Sequence, residues 1–284
     1  MVTIFIYTLG RMRGAVLGWG LGLAILGGYL LRFFDTLAAQ ADDFTSLIAQ
    51  YPKELMAFFG DMTQLFTPAG YLHTEFFSYI PLILGIFVIS LGSGLLAGDE
   101  EKGTLDLVLS HPISRSRLFA GRLAGYVSAI LGILFIIWVS FIISIQGTLL
   151  EEISAGEMAL PLLSLAGLLV FFGAMALLLS LLLPSQRAAT MVASLILFSS
   201  FFLSGMASIN SDLETLETYS PFHYYQGGNA LNDMNWAWLG ILTGLAVLMI
   251  LLACWRFERR DIRVAGEGGW RVPGRLRRPR TSEG

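Results

Sequence analysis

The residues able to do chemistry are few. His73, His111 and His223 are the only imidazoles and Cys254 is the single thiol. They share no His-x-x-x-His or Cys-x-x-Cys spacing, so no zinc ligand set is encoded, and one cysteine permits no intrachain disulfide. Lys53 and Lys102 are the only lysines, and neither sits in a Gly-x-x-x-x-Gly-Lys-Ser/Thr loop. The chain therefore lacks a phosphate cradle of its own for ATP. Its apolar runs hold hydroxyls, such as Ser90, Ser140, Ser164 and Ser200, but no Asp, Glu, Lys or Arg in their cores. Proton relays and ion-coupled carriers place charges there, whereas hydroxyls bond back to their own or a neighbouring helix. No enzyme, cofactor or metal site is expected, and energy for any uphill movement must come from outside the bilayer.

The segment Gly98 to Arg117 is the most organised polar stretch. Gly103 breaks the helix before it, and Thr104 caps a short new helix whose Leu105, Val108 and Leu109 share one face. Pro112 disfavours helix at His111 and closes this element after about two turns. Ser114 then caps a long helix that carries Arg115, Arg117 and Arg122 in its first turns. Leu105, Leu107, Val108 and Leu109 offer an apolar plug for a partner's groove, with Glu100, Glu101, Asp106, Arg115 and Arg117 providing polar register around it. The alternative is a loop folded on its own helix ends with solvated charges.

The elements that position this segment follow from composition. Of 284 residues, 55% are hydrophobic and 14% charged, with a mean hydropathy of +0.68, a balance that makes lipid the main solvent. A spanning helix needs about 20 mostly apolar residues, and six runs qualify: about 15–31, 76–97, 123–145, 160–183, 188–206 and 236–255. The fold class expected is an all-α integral membrane protein, with a six-helix domain over 1–255 and a basic, partly disordered tail over 256–284. Arg11, Arg13, Lys102, Arg115, Arg117, Arg122, Arg187 and nine C-terminal arginines fall on one side of these runs, against only Arg32 and Lys53 on the other. The positive-inside rule makes the first side cytoplasmic, with both termini there, in a multi-pass protein of the plasma or inner membrane. The first run is read as an uncleaved span rather than a signal peptide. The tail arginines suit anionic headgroups, and the orientation already accounts for them without nucleic acid.

Gly10, Gly14, Gly18 and Gly22 recur every fourth residue and form one smooth ridge for close helix approach, either to another subunit or within the chain. On the outer side, Leu55, Met56, Phe58, Phe59 and Met62 suit a short amphipathic helix in the segment 35–75. The segment 207–235 carries Phe222, Tyr224 and Tyr225, an interfacial aromatic belt or an outer gate.

The run Glu101-Lys102-Gly103-Thr104-Leu105, followed by apolar residues and Pro112-Ile113-Ser114-Arg115, resembles the pattern after the second membrane helix of ABC-2 type transporter permeases. Ser220-Pro221-Phe222 before the sixth helix is similar too. The resemblance implies the permease subunit of an ABC exporter, in which two permease chains, identical or not, pair and bind two cytoplasmic ABC ATPase subunits. ATP and Mg would sit on those partners. Gly103 to Arg115 would be the coupling helix, with Thr104, Leu105, Leu107, Leu109 and Pro112 at the motor and Glu100, Glu101 and Arg115 flanking. The first and fifth helices would meet across the dimer, with the glycine ridge at the seam. The short stretch before Ala15 leaves room only for a brief interfacial elbow helix. The alternative is a membrane anchor or assembly protein that recruits a cytoplasmic partner without transporting.

Overall fold

The computed structural model describes residues 1–40, 66–103, 105, 113–207 and 209–259. Caps and breaks in the sequence mark where its helices begin. α1 (Val2–Ala38) runs uninterrupted through the glycine ridge. Thr67 caps α2 (Pro68–Leu72) by accepting from Gly70 N, and a π turn, His73–Phe77, follows. α3 (Ile80–Gly94) starts with Pro81 in its first turn, where the missing N–H costs nothing. After a break comes α4 (Ala97–Glu101). Ser114 accepts from Arg117 N to cap α5 (Arg115–Ser144), as its sequence position predicts. A capping box of Ser154 and Glu157 opens α6 (Ala155–Leu182). α7 (Gln186–Ala207) returns antiparallel after a turn at Pro184, and a short α8 (Glu214–Glu217) precedes α9 (Trp236–Arg259).

Among the described residues there is no strand. α1, α5, α6, α7 and α9 are each long and apolar enough to cross a membrane, and the pair Pro68–Phe77 and Ile80–Gly94, bent by 44°, makes a sixth if counted as one span. Two of the spans differ from the apolar runs that announce them. α1 begins at Val2, so no elbow separates an N-terminal piece from the first span among the described residues. At 37 residues it is about 55 Å long, well beyond the hydrocarbon thickness. The second span is not a straight helix over 76–97 but a bent one, because the π turn and Pro81 interrupt its ladder. The amphipathic helix expected within 35–75 and the tail beyond Arg259 lie outside the described residues.

Helix ends gather in two groups. At the basic end, Arg11 of α1 and Arg122 of α5 meet Asp99 of α4, Glu101 meets Gln186 of α7, and Arg115 donates to Phe257 O and Glu258 O of α9. At the acidic end, Asp35 accepts from Leu149 N, Trp138 donates to Ala155 O, and Ser204 donates to Glu217.

α6 is the central helix. Its apolar residues are buried on every side, as for a helix surrounded by others. It crosses α3 where Gly92 and Gly173 meet: a Cβ on Gly92 would stand 2.6 Å from Gly173 O. Tyr126 of α5 closes this crossing and donates to Val88 O at 2.9 Å. Backbone cannot yield as a side chain can, so Gly92→Ala is expected to destabilise the fold by about 1–3 kcal/mol. Gly240→Ala, where a Cβ meets nothing within 4 Å, should be neutral or stabilising by a few tenths of a kcal/mol. Thermal unfolding of the two variants in detergent measures the contrast.

α1 leans on α5 through glycines other than those of the ridge. A Cβ on Gly20 would lie 2.7 Å from Ile136 Cδ1 and one on Gly28 2.6 Å from Ser144 Oγ, while Ser140 donates to Ala24 O at 2.7 Å. Small residues and a hydroxyl bridge are what bring membrane helices together where apolar burial adds little.

Candidate functional site

The Gly98 to Arg117 segment is held at its first end by carboxylates on α4. Asp99, its side chain 10% exposed, accepts from Arg122 Nη2 at 2.7 Å and from Arg11 Nη1 at 3.1 Å. Arg122, its side chain 7% exposed, also donates through Nη1 to Leu95 O at 2.7 Å, one of the carbonyls that the break between α3 and α4 leaves without a helical partner. Glu101 Oε1 accepts from Gln186 N at 2.7 Å, placing a carboxylate at the N-terminus of α7, where the helix dipole favours it. Through two carboxylates a five-residue helix is thus fastened to α1, α5 and α7.

Past α4 the chain turns sharply. Gly103 has φ +67°, a left-handed conformation that glycine takes without strain, and its N–H donates to Glu100 O at 3.0 Å. The helix break predicted at Gly103 is therefore present. Leu105 is 1% exposed and packs in the chain's own core, in the cluster that also holds Leu95, Leu118 and Phe119. Leu105 itself is turned inward and anchors the segment. Glu100 is buried as well, whereas Glu101, Lys102 and Arg117 are exposed. Thr104, Leu107, Leu109 and Pro112 lie outside the described residues. The segment's second end is the Ser114 cap, beside which Arg115 Nη1 reaches Glu258 O at 3.3 Å.

The ridge of α1 faces away from the rest of the chain. A Cβ built on Gly10, Gly14, Gly18 or Gly22 meets nothing within 4 Å, so among the described residues no intrachain helix uses this surface. Leu17, Leu21 and Ile25 are exposed beside it. α7 has a comparable apolar face, with Met191, Leu195 and Phe202 each more than half exposed.

At the acidic end, Ser220 accepts from Phe222 N to start a 3₁₀ turn, Pro221–Tyr224. Phe222 is buried among Phe172 of α6, Phe201 of α7 and Tyr225. Tyr225 donates to Phe77 O at 2.9 Å, and burial pushes its phenol well above the usual range, keeping it a neutral donor. Tyr224 donates to Thr218 O at 3.0 Å and stands edge-on to Trp238. Gln226 ties Asn235, which precedes α9, to Ser164 of α6. The three aromatic residues are built into the acidic end, and Tyr219 and Trp236 make its exposed aromatic surface.

A sequence model of the family described as ABC-2 family transporter protein matches residues 8–262. The chain belongs to the ABC-2 transporter family. The matched stretch runs from within α1 to beyond the end of α9 and takes in both ends of the polar segment and the aromatic turn. No curated protein matches this ABC-2 chain. Membership makes it a transmembrane transport protein of permease type, and ABC-2 permeases in general associate with ABC ATPases.

Within this ABC-2 chain the structure joins Glu101 to α7, buries Glu100, Leu105 and Phe222, leaves the four ridge glycines open, and keeps Arg115 at α9. Three participants are not prominent in the sequence. Asp99 is one acid among Asp99, Glu100 and Glu101, Arg122 is one arginine among several at the start of α5, and Gln186 is part of a four-residue turn. The available signal for Asp99 is its place directly after an apolar run, on the side where cations prevail.

Proposed function

We infer that this chain is the permease subunit of an ATP-driven exporter, lying in the cell membrane with its basic end and both termini in the cytoplasm. Two permease chains pair, α1 of one against α7 of the other, and separate ATPase subunits carrying ATP and Mg dock on the segment between α4 and α5. The observation that carries this reading is the fastening of α4. Asp99 and Glu101 link the root of that segment to α1, α5 and α7, so a force applied there is delivered to several spans at once. Closure of the ATPases on ATP would move those helices together and open the seam outward. Phe222 and Tyr225 then act as part of the outer seal, since they bridge α6, α7 and the second span. The ridge glycines supply the low surface that two closely approaching helices need.

The test exploits the single native thiol. In a Cys254→Ser background, Gly18→Cys paired with Leu195→Cys is expected to form an interchain disulfide in membranes when oxidised, detected as a dimer on non-reducing gels. The bond should form less readily when the partner ATPase is trapped with ATP. A monomer under all conditions would remove the proposed seam. ATP-independent solute movement, or ATPase binding with no transport in reconstituted vesicles, would instead favour an anchor or assembly role.

A further inference from the structure

α9 is fixed by polar bonds at both of its ends. At the basic end Arg115, which directly follows the Ser114 cap, donates through Nη1 to Glu258 O at 3.3 Å and to Phe257 O at 3.5 Å. These carbonyls belong to the last turn of α9, which an α-helix leaves without internal partners, and a cation there also complements the helix dipole. Phe119 of α5 packs beside Phe257, ring centroids 6.2 Å apart. The second end of the polar segment is thus joined to α9, as its first end is joined to α1, α5 and α7.

At the acidic end one side chain makes the connection. Gln226, 7% exposed, donates from Nε2 to Asn235 O at 3.1 Å and accepts at Oε1 from Asn235 N at 2.7 Å. A carboxamide carries a donor and an acceptor side by side, so it can hold both backbone groups of one residue. That residue caps α9, since Asn235 Oδ1 accepts from Ala237 N and Trp238 N. Gln226 N donates to Ser164 Oγ, and the preceding Tyr225 donates to Phe77 O of the second span. Between the two ends α9 presents a buried face of low relief: Leu242, Ala246, Ala253 and Phe257, with Leu239 lying over Gly167 of α6, where a Cβ would stand 2.7 Å from its Cδ1. Ile241, Leu245, Leu248 and Leu252 are exposed. Small side chains interdigitate little, so such a seam opposes separation more than the small sliding of one packed helix on another.

We propose that α9 links the polar segment to the outer aromatic turn, with Arg115 and Gln226 as the positioning residues at its two ends. With 24 residues the helix is about 36 Å long, and a rigid element held by contiguous hydrogen bonds is a physical form that coupling over such a distance takes. Under the exporter reading, on which this inference rests for the source of the force, displacement of the segment by the ATPases reaches Phe222 and Tyr225 through α9 as well as through α1, α5 and α7. Gln226 makes the outer turn follow the helix.

The link is read in the full chain in nanodiscs by amide hydrogen exchange, with neither an ATPase nor a transported solute. Arg115→Gln is expected to speed exchange in the outer turn, residues 220–231, by about two- to fivefold, although it acts at the far end of α9. Gln226→Met keeps the length of the side chain and should speed the same amides by about fivefold, the effect of one lost hydrogen bond. Adding Arg115→Gln to it should change nothing further, because the link is already cut. Arg115→Lys still offers a donor to the last carbonyls of α9 and should stay near the parent chain. The turn 147–151 lies at the same end of the bundle but is tied to α1 through Leu149 N and Asp35. Its exchange should be equal in all these proteins, whereas a general loosening of the fold would speed it too. An outer turn that ignores Arg115→Gln, an equal effect of that substitution with and without Gln226, or acceleration of 147–151 alongside would each overturn the link. None of these outcomes touches the exporter reading, which stands or falls on the ATP-dependent cross-link of the seam.

Discussion

Asp99→Ala is expected to destabilise the chain by about 3–5 kcal/mol, the range for removing one partner of a buried pair. The loss comes mainly from Arg122. Its guanidinium is nearly inaccessible and 2.7 Å from the carboxylate, so the variant leaves a cation that cannot lose its proton, still donating to Leu95 O but without the carboxylate that balances it. Arg11 behaves differently, since its side chain is 49% exposed; water replaces the carboxylate, and Arg11→Ala should cost no more than about 1 kcal/mol. The double variant Asp99→Ala, Arg122→Leu should recover most of the stability, because two apolar groups in that position need no pairing. Chemical unfolding in mixed micelles, followed by tryptophan fluorescence, orders the four proteins. If Asp99→Ala alone lies within 1 kcal/mol of the parent chain, the pair does not hold the basic end together.

The same residues show what a linear sequence conveys and what it withholds. The all-helical character with five or six spans, the Gly103 break and the Ser114 cap are local or compositional, each set by a few neighbouring residues, and these are legible in advance. The bend in the second span is less so. Its apolar run starts at Phe76, inside the π turn His73–Phe77, and hydropathy does not distinguish a π turn from an α turn of the same composition. The ion pairs are withheld for another reason: Arg11, Asp99 and Arg122 belong to three elements, and their union depends on how α1 and α5 pack, which depends in turn on Gly20, Gly27 and Gly28. The ridge glycines were the more visible set because they repeat regularly, yet it is the irregular set that makes the intrachain contact. Periodicity identifies a smooth face and does not say what it meets. Leu105 is instructive in the same way. Its spacing with Val108 and Leu109 marks an apolar face, and only the packing shows that this leucine turns into its own core.

That placement decides how the docking of an ATPase is to be tested. Leu105→Asp would bury a carboxylate in the chain's own apolar core and unfold the segment, so a lost complex would say nothing of a contact surface. Leu107 and Leu109 are the informative positions under the exporter reading. Burying a leucine in a partner's groove is worth roughly 1.5–3 kcal/mol, and a charge in its place adds a desolvation cost. Leu107→Asp with Leu109→Asp is therefore expected to weaken ATPase association by at least about two orders of magnitude, abolishing co-purification and ATP-dependent transport. The thermal stability of the isolated permease should change little. Leu107→Met with Leu109→Met conserves volume and apolarity and should retain both activities. The signature is a complex lost while the fold survives, and restored when an apolar side chain returns. Retention of the complex by the double aspartate variant would move the docking surface elsewhere on the basic end, where Glu101, Lys102 and Arg117 are exposed charges among the described residues of the same segment.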